Sequence, residues 1–492
     1  MMSSQLRSRY DVIINGGGIV GFTLLNLILK SKHLGRTRVL LIEQAKKPSD
    51  LTQPIRLKND SDDEDGKFFS NRVSSITYTS KSAFKKLGVW DRVKPYAKDI
   101  KTIKVWNYDY FNKITFKQDL LACQRHDSEE QNIVFSTLEN NRLSLALLES
   151  ISQIPNGNDS ITWTKRLTNL EESLDSSLVD VTIMDPESNI QTNVTAPLVL
   201  GCDGYNSKVR ELTGMRYKEI DFNKSAVVGT VKMAAQQMNT ENDIAYQRFS
   251  NEKGTVAALL PLDSEYSSFV ISAPSDYAKH LGECDEQAFV AELNQLLASR
   301  ETPTNLVLKG LHEVANATYD NLKNLLQLVG PRLGLPSDGL DFGEGFDEVP
   351  SVERLVNDSR ATFPLIFGTT SPRMVCSLPK LARPQIALLG DAAHRVHPLA
   401  GQGLNLGIQD AIELVKQLEA SASIGERIFH DTSILSKALR KFELRRQAYV
   451  IPMSIGILSM QDLFKLAPSR ILSSANKCQP IKTASVRFAN GV

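Results

Sequence analysis

The run Tyr10-Asp11-Val12-Ile13-Ile14 passes directly into Asn15-Gly16-Gly17-Gly18-Ile19-Val20-Gly21, and this passage leaves the chain few folds to choose from. Gly16, Gly18 and Gly21 stand in G-x-G-x-x-G spacing, Phe22 to Leu29 continue as an apolar helix pattern, and a second apolar run, Arg38 to Ile42, ends on Glu43. Strand, glycine turn, helix and second strand make a βαβ unit. Its glycines provide the tight turn, a close approach for a pyrophosphate and room for the helix to pack on the strand. The acid about 20 positions on reaches ribose hydroxyls, and the helix N-terminus offers unpaired N–H groups to the phosphates. A glycine-rich turn without a ligand is the alternative; the flanking strand and helix and the placement of Glu43 weigh against it. The fingerprint does not distinguish FAD from NAD.

A second site lies near the other end, in Gly390-Asp391-Ala392-Ala393-His394-Arg395-Val396-His397-Pro398-Leu399-Ala400-Gly401-Gln402-Gly403-Leu404-Asn405 and on to Asp410. The strand-like Ile386 to Leu389 delivers Asp391 at its end, where a carboxylate accepts hydrogen bonds from ribityl or ribose hydroxyls. Pro398 stiffens the approach to the turn, and Gly401 and Gly403 let backbone amides at a helix start come close to a negative or electron-rich group. A third buried run, Pro197 to Leu200, ends in Gly201-Cys202-Asp203-Gly204.

Composition narrows the class. Among 492 residues, 57 are Lys or Arg and 56 Asp or Glu, a formal net charge of +1, so nothing electrostatic points to nucleic acid. The five cysteines are scattered without C-x-x-C spacing, against a disulfide framework or zinc site and in keeping with a reducing compartment. His394 and His397 have no accompanying carboxylate or thiol cluster, and no metal site is expected. No apolar run reaches the ~18 residues of a membrane span. Met1 to Arg9 is transit-like in composition but short.

Along the chain, residues 46–68, with the acidic run Asp60 to Asp65, read as a solvated insertion. Asn71 to Thr77 read as a loop, Ser80 to Trp90 as a helix ending at Gly88, residues 100–120 as a hairpin, and Val134 to Ile151 as helical. Alternating strands follow from Ile161 to Val194 and again over 222–275. Residues 285–328 read as mostly helical, 329–350 as a loop, and the chain after the 390s as helices to about residue 465.

The three motifs, with Ser207 and Arg210 after the Asp-Gly turn, resemble the class A flavin-dependent aromatic hydroxylases. His397 to Asn405, running on to Gly407 and Asp410, is similar to the signature of the ubiquinone-biosynthesis hydroxylases, the UbiH/COQ6 group. Asn71-Arg72-Val73, Tyr246-Gln247-Arg248-Phe249 with Leu260-Pro261-Leu262, Ser359 to Leu365, and Asn476 to Lys482 add matches. The resemblance covers nearly the whole chain, and the long spacer before Arg360 is like that of the mitochondrial branch. Asn15, Cys202 and Ser268 to Ser272, which lacks the usual tryptophan, depart from the pattern. The last departure bears on the substrate wall.

The resemblance implies an α/β fold: a Rossmann-like FAD-binding domain of the glutathione-reductase/PHBH type (8–99, 130–221 and 366–435) interleaved with a β-rich substrate domain (100–129 and 222–365, insertion near 329–350), followed by a helical C-terminal region (436–492). FAD is the implied cofactor. Gly16, Gly18 and Gly21 would seat its pyrophosphate, Glu43 the adenosine ribose, and Arg72 would contact it. Asp203 and Gly204 would lie near the phosphates and Asp391 against ribityl or pyrophosphate-side oxygens. Beyond Pro398 and Gly401, Gly403, Leu404 and Asn405 would offer backbone amides to the flavin carbonyl edge.

The implied reaction is hydroxylation at C5 of a polyprenylated 4-hydroxybenzoate or phenol on the way to ubiquinone, through a flavin C4a-hydroperoxide formed with O2. The cofactor carries the difficult chemistry, so no catalytic side chain is singled out; His394 and His397 read as loop-structural. Electrons come from a ferredoxin and ferredoxin reductase or from NAD(P)H. Other ubiquinone-biosynthesis proteins are expected partners. The expected location is the matrix side of the mitochondrial inner membrane, held peripherally, with the apolar Ala448 to Phe464 as a membrane or partner face. The rival readings are a non-catalytic binding protein on the same fold, as in Rab GDP-dissociation inhibitors, and a flavin hydroxylase of another aromatic compound.

Overall fold

The computed structural model describes residues 8–48, 61–62, 68–107, 113–117, 133–175, 177–234, 243–250, 254–298, 349–356, 359–378, 385–396, 401–422 and 428–466. The apolar runs that carry the motifs become one sheet. Its order is Ile161–Thr162, Val39–Ile42, Val12–Asn15, Leu198–Gly201, Ile386–Leu388, Val375–Cys376, parallel throughout except for the last pair. Continuous apolar strands are what a sheet covered on both faces requires, and Val12 to Asn15, Val39 to Ile42 and Leu198 to Gly201 are buried along their whole length. The helices Ile19–Lys30, Asn140–Ser152 and Gln402–Ala422 and a three-stranded antiparallel sheet, Arg166–Glu172, Val179–Met184 and Gln191–Ala196, complete this core.

A second, larger sheet runs His394–Arg395, Ala361–Thr369, Lys218–Met233, Tyr266–Pro274, Thr255–Pro261, Ile244–Ser250, Thr102–Trp106, Ile114–Lys117. One of its faces is covered by the helices Ser275–Glu283 and Glu286–Ala298, where Phe269, Ile271, Ala257 and Leu259 pack against Leu281, Phe289 and Leu293. Both sheets draw strands from separated parts of the chain, so the backbone passes between them repeatedly.

Two local expectations are corrected. Asn71 to Thr77 is not a loop, because Val73–Ile76 forms a strand. Val134 to Glu139 is not helical: Phe135–Glu139 is the central strand between Val73–Ile76 and Lys98–Ile100, and the helix starts at Asn140. Both strands are short and partly polar, so their pairing partners decide what their propensity leaves open. The helix after Val73–Ile76 is Tyr78–Lys86, closed by Gly88. Of the expected helix over 285–328, Glu286–Ala298 is present and 299–328 lies outside the described residues, as do most of the acidic insertion, residues 329–348, and everything after Leu466. The C-terminal helix runs Thr432–Leu466, and no described helix is long and apolar enough to cross a membrane.

Candidate functional site

The C-terminal ends of Val12–Asn15, Leu198–Gly201 and Ile386–Leu388 converge, and the three motif turns leave the sheet side by side. A ligand of an open α/β sheet binds at this edge. Gly16 has φ +105°, and a Cβ there would lie 2.5 Å from the Cys202 carbonyl oxygen, so the first turn sits directly on the Asp-Gly turn. Gly18 is the N-cap of Ile19–Lys30 without a side-chain cap, and the space a Cβ would take there is empty to 4 Å. Glu43 accepts the Gly17 N–H at 2.5 Å through Oε2 and the Ala45 N–H at 2.7 Å through Oε1. Its carboxylate is therefore at the glycine turn.

Asp203 has a local task. Its Oδ2 accepts from Lys208 N–H (2.7 Å), Val209 N–H (3.2 Å) and the Asn15 side-chain amide (2.8 Å). Asn15, unusual at its position, thus ties the glycine turn to the Asp-Gly turn. The other oxygen, Oδ1, is buried without a protein partner among the described residues, as a site that receives a ligand hydroxyl requires. Gly204 follows at φ +75°. Arg210 donates to the Tyr205 carbonyl (2.6 Å) and the Ala392 carbonyl (3.0 Å), joining the second and third motif loops.

Asp391 opens to solvent on one side and is crowded on the others. That crowding raises its carboxyl above the ordinary range, against the opposing pull of His394 and Arg395. The Gln402–Ala422 helix begins beside it: a Cβ on Gly403 would lie 4.0 Å from Asp391 Oδ1. Leu404 is half-buried against the main core. The Asn405 side chain is committed to the protein, donating through Nδ2 to the Ser75 carbonyl (2.7 Å) and accepting through Oδ1 from Thr77 N–H (3.1 Å), Thr77 Oγ1 (3.1 Å) and Ser80 Oγ (2.8 Å). It locks Gly401 and the helix start to the Val73–Ile76 strand. Pro398 and His397 lie outside the described residues.

Gly407 explains the spacing of the motif. A Cβ there would meet Val20 Cγ2 at 2.6 Å and Gly390 Cα at 3.1 Å, because the two motif helices and the Gly390 turn meet at this point. Gly407→Ala is expected to destabilise the protein by roughly 1–3 kcal/mol, the usual penalty of overpacking, read by urea unfolding. Stability within a few tenths of a kcal/mol of the parent would show that the helices can part freely.

Among the described residues, the other face of the large sheet is met by the segment that leads into the Val73–Ile76 strand. Arg72, exposed before the Val73–Ile76 strand, holds its guanidinium 5.4 Å from the Phe363 ring. Phe69 packs on Tyr266 at 4.6 Å. On the same face Val228, Val270, Ala258 and Gln247 are direct cross-strand neighbours and all half-buried, a row of mainly small apolar side chains. Ile271 is not in it. It is fully buried on the opposite face among the helices. Strand alternation makes the distinction, and it follows once register is known.

His394 is buried, with Nε2 2.7 Å from Asp410 Oδ2, which also accepts the Gly390 N–H at 2.9 Å. Sequence reading missed the third member: Arg446 on the C-terminal helix donates through Nε to Asp410 Oδ1 at 2.6 Å. Burial pushes the Asp410 carboxyl up, but His394, Arg446 and the Gly390 N–H outweigh it and hold it below the ordinary range. An acid among Leu406, Ile408, Ala411 and Leu414 was the available signal, since a buried carboxylate requires a cation. No group of three or more potential metal ligands occurs among the described residues.

The sequence matches the family described as "FAD binding domain" over residues 66–320 and 357–432. Ubiquinone biosynthesis monooxygenase COQ6, mitochondrial, of Danio rerio is 30% identical over 99% of this chain and 91% of its own length; that of Xenopus tropicalis is 29% identical over 99% and 95%. Among solved structures, p-nitrophenol 4-monooxygenase PnpA from Pseudomonas putida superposes with a TM-score of 0.61 at 15% identity, covering 98% of this chain and 99% of that one. Klebsiella pneumoniae HpxO, complexed with FAD and uric acid, gives 0.61 at 15% identity, covering 97% of each chain. These two show the fold. The three turns at one sheet edge, the unpartnered Asp203 oxygen and the full-length likeness agree, and the chain belongs to the FAD-binding-domain family and, within it, to the COQ6 ubiquinone biosynthesis monooxygenases.

Proposed function

We propose that this protein is an FAD-dependent monooxygenase that hydroxylates C5 of a polyprenylated 4-hydroxybenzoate-derived phenol in ubiquinone biosynthesis. The observation that supports the substrate assignment is the half-buried apolar row Val228, Val270 and Ala258 on the sheet face away from the two helices, the face that Arg72 and Phe69 meet at its edge. An aromatic ring with an apolar tail gains from such a wall, at about 25 cal/mol per Å² of apolar surface removed from water.

The residues fit the cofactor. Gly16, Gly18 and Gly21 seat the pyrophosphate at the uncapped helix start and Glu43 the adenosine ribose. Asp203, through its free oxygen, and Gly204 lie near the phosphates, with Arg72 at the cofactor's edge. Asp391 holds ribityl or pyrophosphate-side oxygens. Gly401, which Pro398 precedes in the sequence, opens the helix whose first amides, with those of Gly403, Leu404 and Asn405, would meet the ring's carbonyl edge. Fixed donors aimed where charge develops favour the transition state. Bound FAD would supply the two-electron chemistry for activating O2, with one oxygen atom entering the ring and the other leaving as water after uptake of two protons. The protein positions the phenol between the apolar row and the cofactor and excludes water. Electrons come from a ferredoxin system or NAD(P)H. The setting is mitochondrial, at the matrix side of the inner membrane among other ubiquinone-biosynthesis proteins. The division into a discontinuous FAD half and a β-rich substrate half accords with the two sheets.

The test is direct. Purified protein incubated with FAD and then freed of unbound FAD by gel filtration should remain yellow, and cells lacking the protein should accumulate a phenol intermediate without the C5 hydroxyl. A colourless protein or a normal quinone pool defeats the proposal. Within it, Val270→Phe is expected to reduce turnover more than tenfold with FAD affinity unchanged, because the new ring projects into the substrate space. Ile271→Val, on the helix-covered face, should leave turnover within twofold; the reverse pattern would place the substrate elsewhere.

A further inference from the structure

From the C-terminal helix Thr432–Leu466, Arg446 reaches the motif helix beside the Gly390 loop. Arg446 is buried and directs each of its three guanidinium nitrogens at the motif helix: Nε to Asp410 Oδ1 (2.6 Å), Nη1 to Gln409 Oε1 (3.3 Å) and Nη2 to the Leu406 carbonyl (3.2 Å). The other Asp410 oxygen holds both ends of the loop that carries Asp391, taking the Gly390 N–H at 2.9 Å and His394 Nε2 at 2.7 Å. A carboxylate only accepts, so His394 is oriented with Nε2 as the donor. Asp410 is completely buried, and a planar guanidinium on one oxygen fixes where the other oxygen points.

We propose that Arg446 is a positioning residue of the flavin site, acting through Asp410 on the Gly390–His394 loop so that Asp391 is held where the cofactor meets it. Arg446 touches neither cofactor nor substrate. The inference rests on the assignment of Asp391 to FAD made above. It also gives the C-terminal helix a task in the active site that its apolar pattern does not reveal. Losing the guanidinium leaves the buried Oδ1 without its cation and Oδ2 held only by the loop's own donors, so no group outside the loop fixes the carboxylate.

The test uses the full-length protein with FAD alone as the probe. Arg446→Met should weaken FAD binding at least tenfold in a fluorescence titration and change the visible spectrum and midpoint potential of the flavin that remains bound at saturation. Arg446→Lys should recover part of both. A merely structural Arg446 would lower the melting temperature and leave spectrum and potential untouched, and that result, or an unchanged dissociation constant, overturns the proposal. If Arg446→Met does not fold, the double variant Asp410→Asn/Arg446→Met, which buries no lone charge, takes its place with the same criteria. Wild-type protein that binds no FAD would defeat the flavin reading itself, and this inference with it; a binding wild type with an indifferent variant defeats the inference alone.

Discussion

Gly16→Ala is expected to abolish FAD retention, with affinity falling at least about a hundredfold, or ~2.7 kcal/mol. Two costs act together. The φ of +105° places the residue in backbone space that alanine rarely adopts, and the added Cβ would lie 2.5 Å from the Cys202 carbonyl oxygen and 2.7 Å from Asp203 Cα. Both contacts are backbone, which has no rotamer with which to retreat, so the first turn must move away from the Asp-Gly turn. Gly18→Ala separates this from ligand exclusion. Nothing lies within 4 Å of that Cβ, so Gly18→Ala should fold with unchanged stability and still bind FAD weakly, its methyl group standing where the pyrophosphate approaches. A fluorescence titration beside a thermal melt reads both variants. If Gly16→Ala retains FAD like the wild type, the turn is not the phosphate cradle.

Asn405→Ala is expected to destabilise the protein by about 3–5 kcal/mol, the upper tail for single substitutions. Its side chain satisfies the Ser75 carbonyl, the Thr77 N–H and two hydroxyls from full burial. Each buried group left unpaired costs about 1–3 kcal/mol, although the hydroxyls of Thr77 and Ser80, 3.4 Å apart, can bond each other. Asn405→Asp should be no milder, since it loses the donor and sets a charge against the Ser75 carbonyl. Urea unfolding without FAD measures both. A loss under 1 kcal/mol for Asn405→Ala would mean that the Gly401 turn is held by other contacts and that Asn405 serves the ligand directly.

The two predictions divide along the line between what a local segment encodes and what folding adds. Gly16, Gly204 and Gly390 answer local demands for positive φ at strand ends, and such demands are met by neighbours in sequence. The glycine fingerprint, the Asp-Gly turn and the Gly-Asp turn were therefore legible, together with the α/β class and the FAD family. The Asn405 backbone was legible as part of a helix start. Its side chain's task was not, because the Thr77 partner is 328 residues away.

The sequence by itself determined the parallel sheet, the three turns at its edge and the family, because each rests on apolar runs and backbone demands confined to about ten residues. Only the tertiary structure decided that Val73–Ile76 and Phe135–Glu139 are strands, that Ile271 faces the helices while Val270 lies on the opposite face, and that Arg446 reaches Asp410 across 36 residues. Strand register, sheet face and the pairing of buried charges are set by partners distant along the chain. Their energies exist only once the chain has closed on itself.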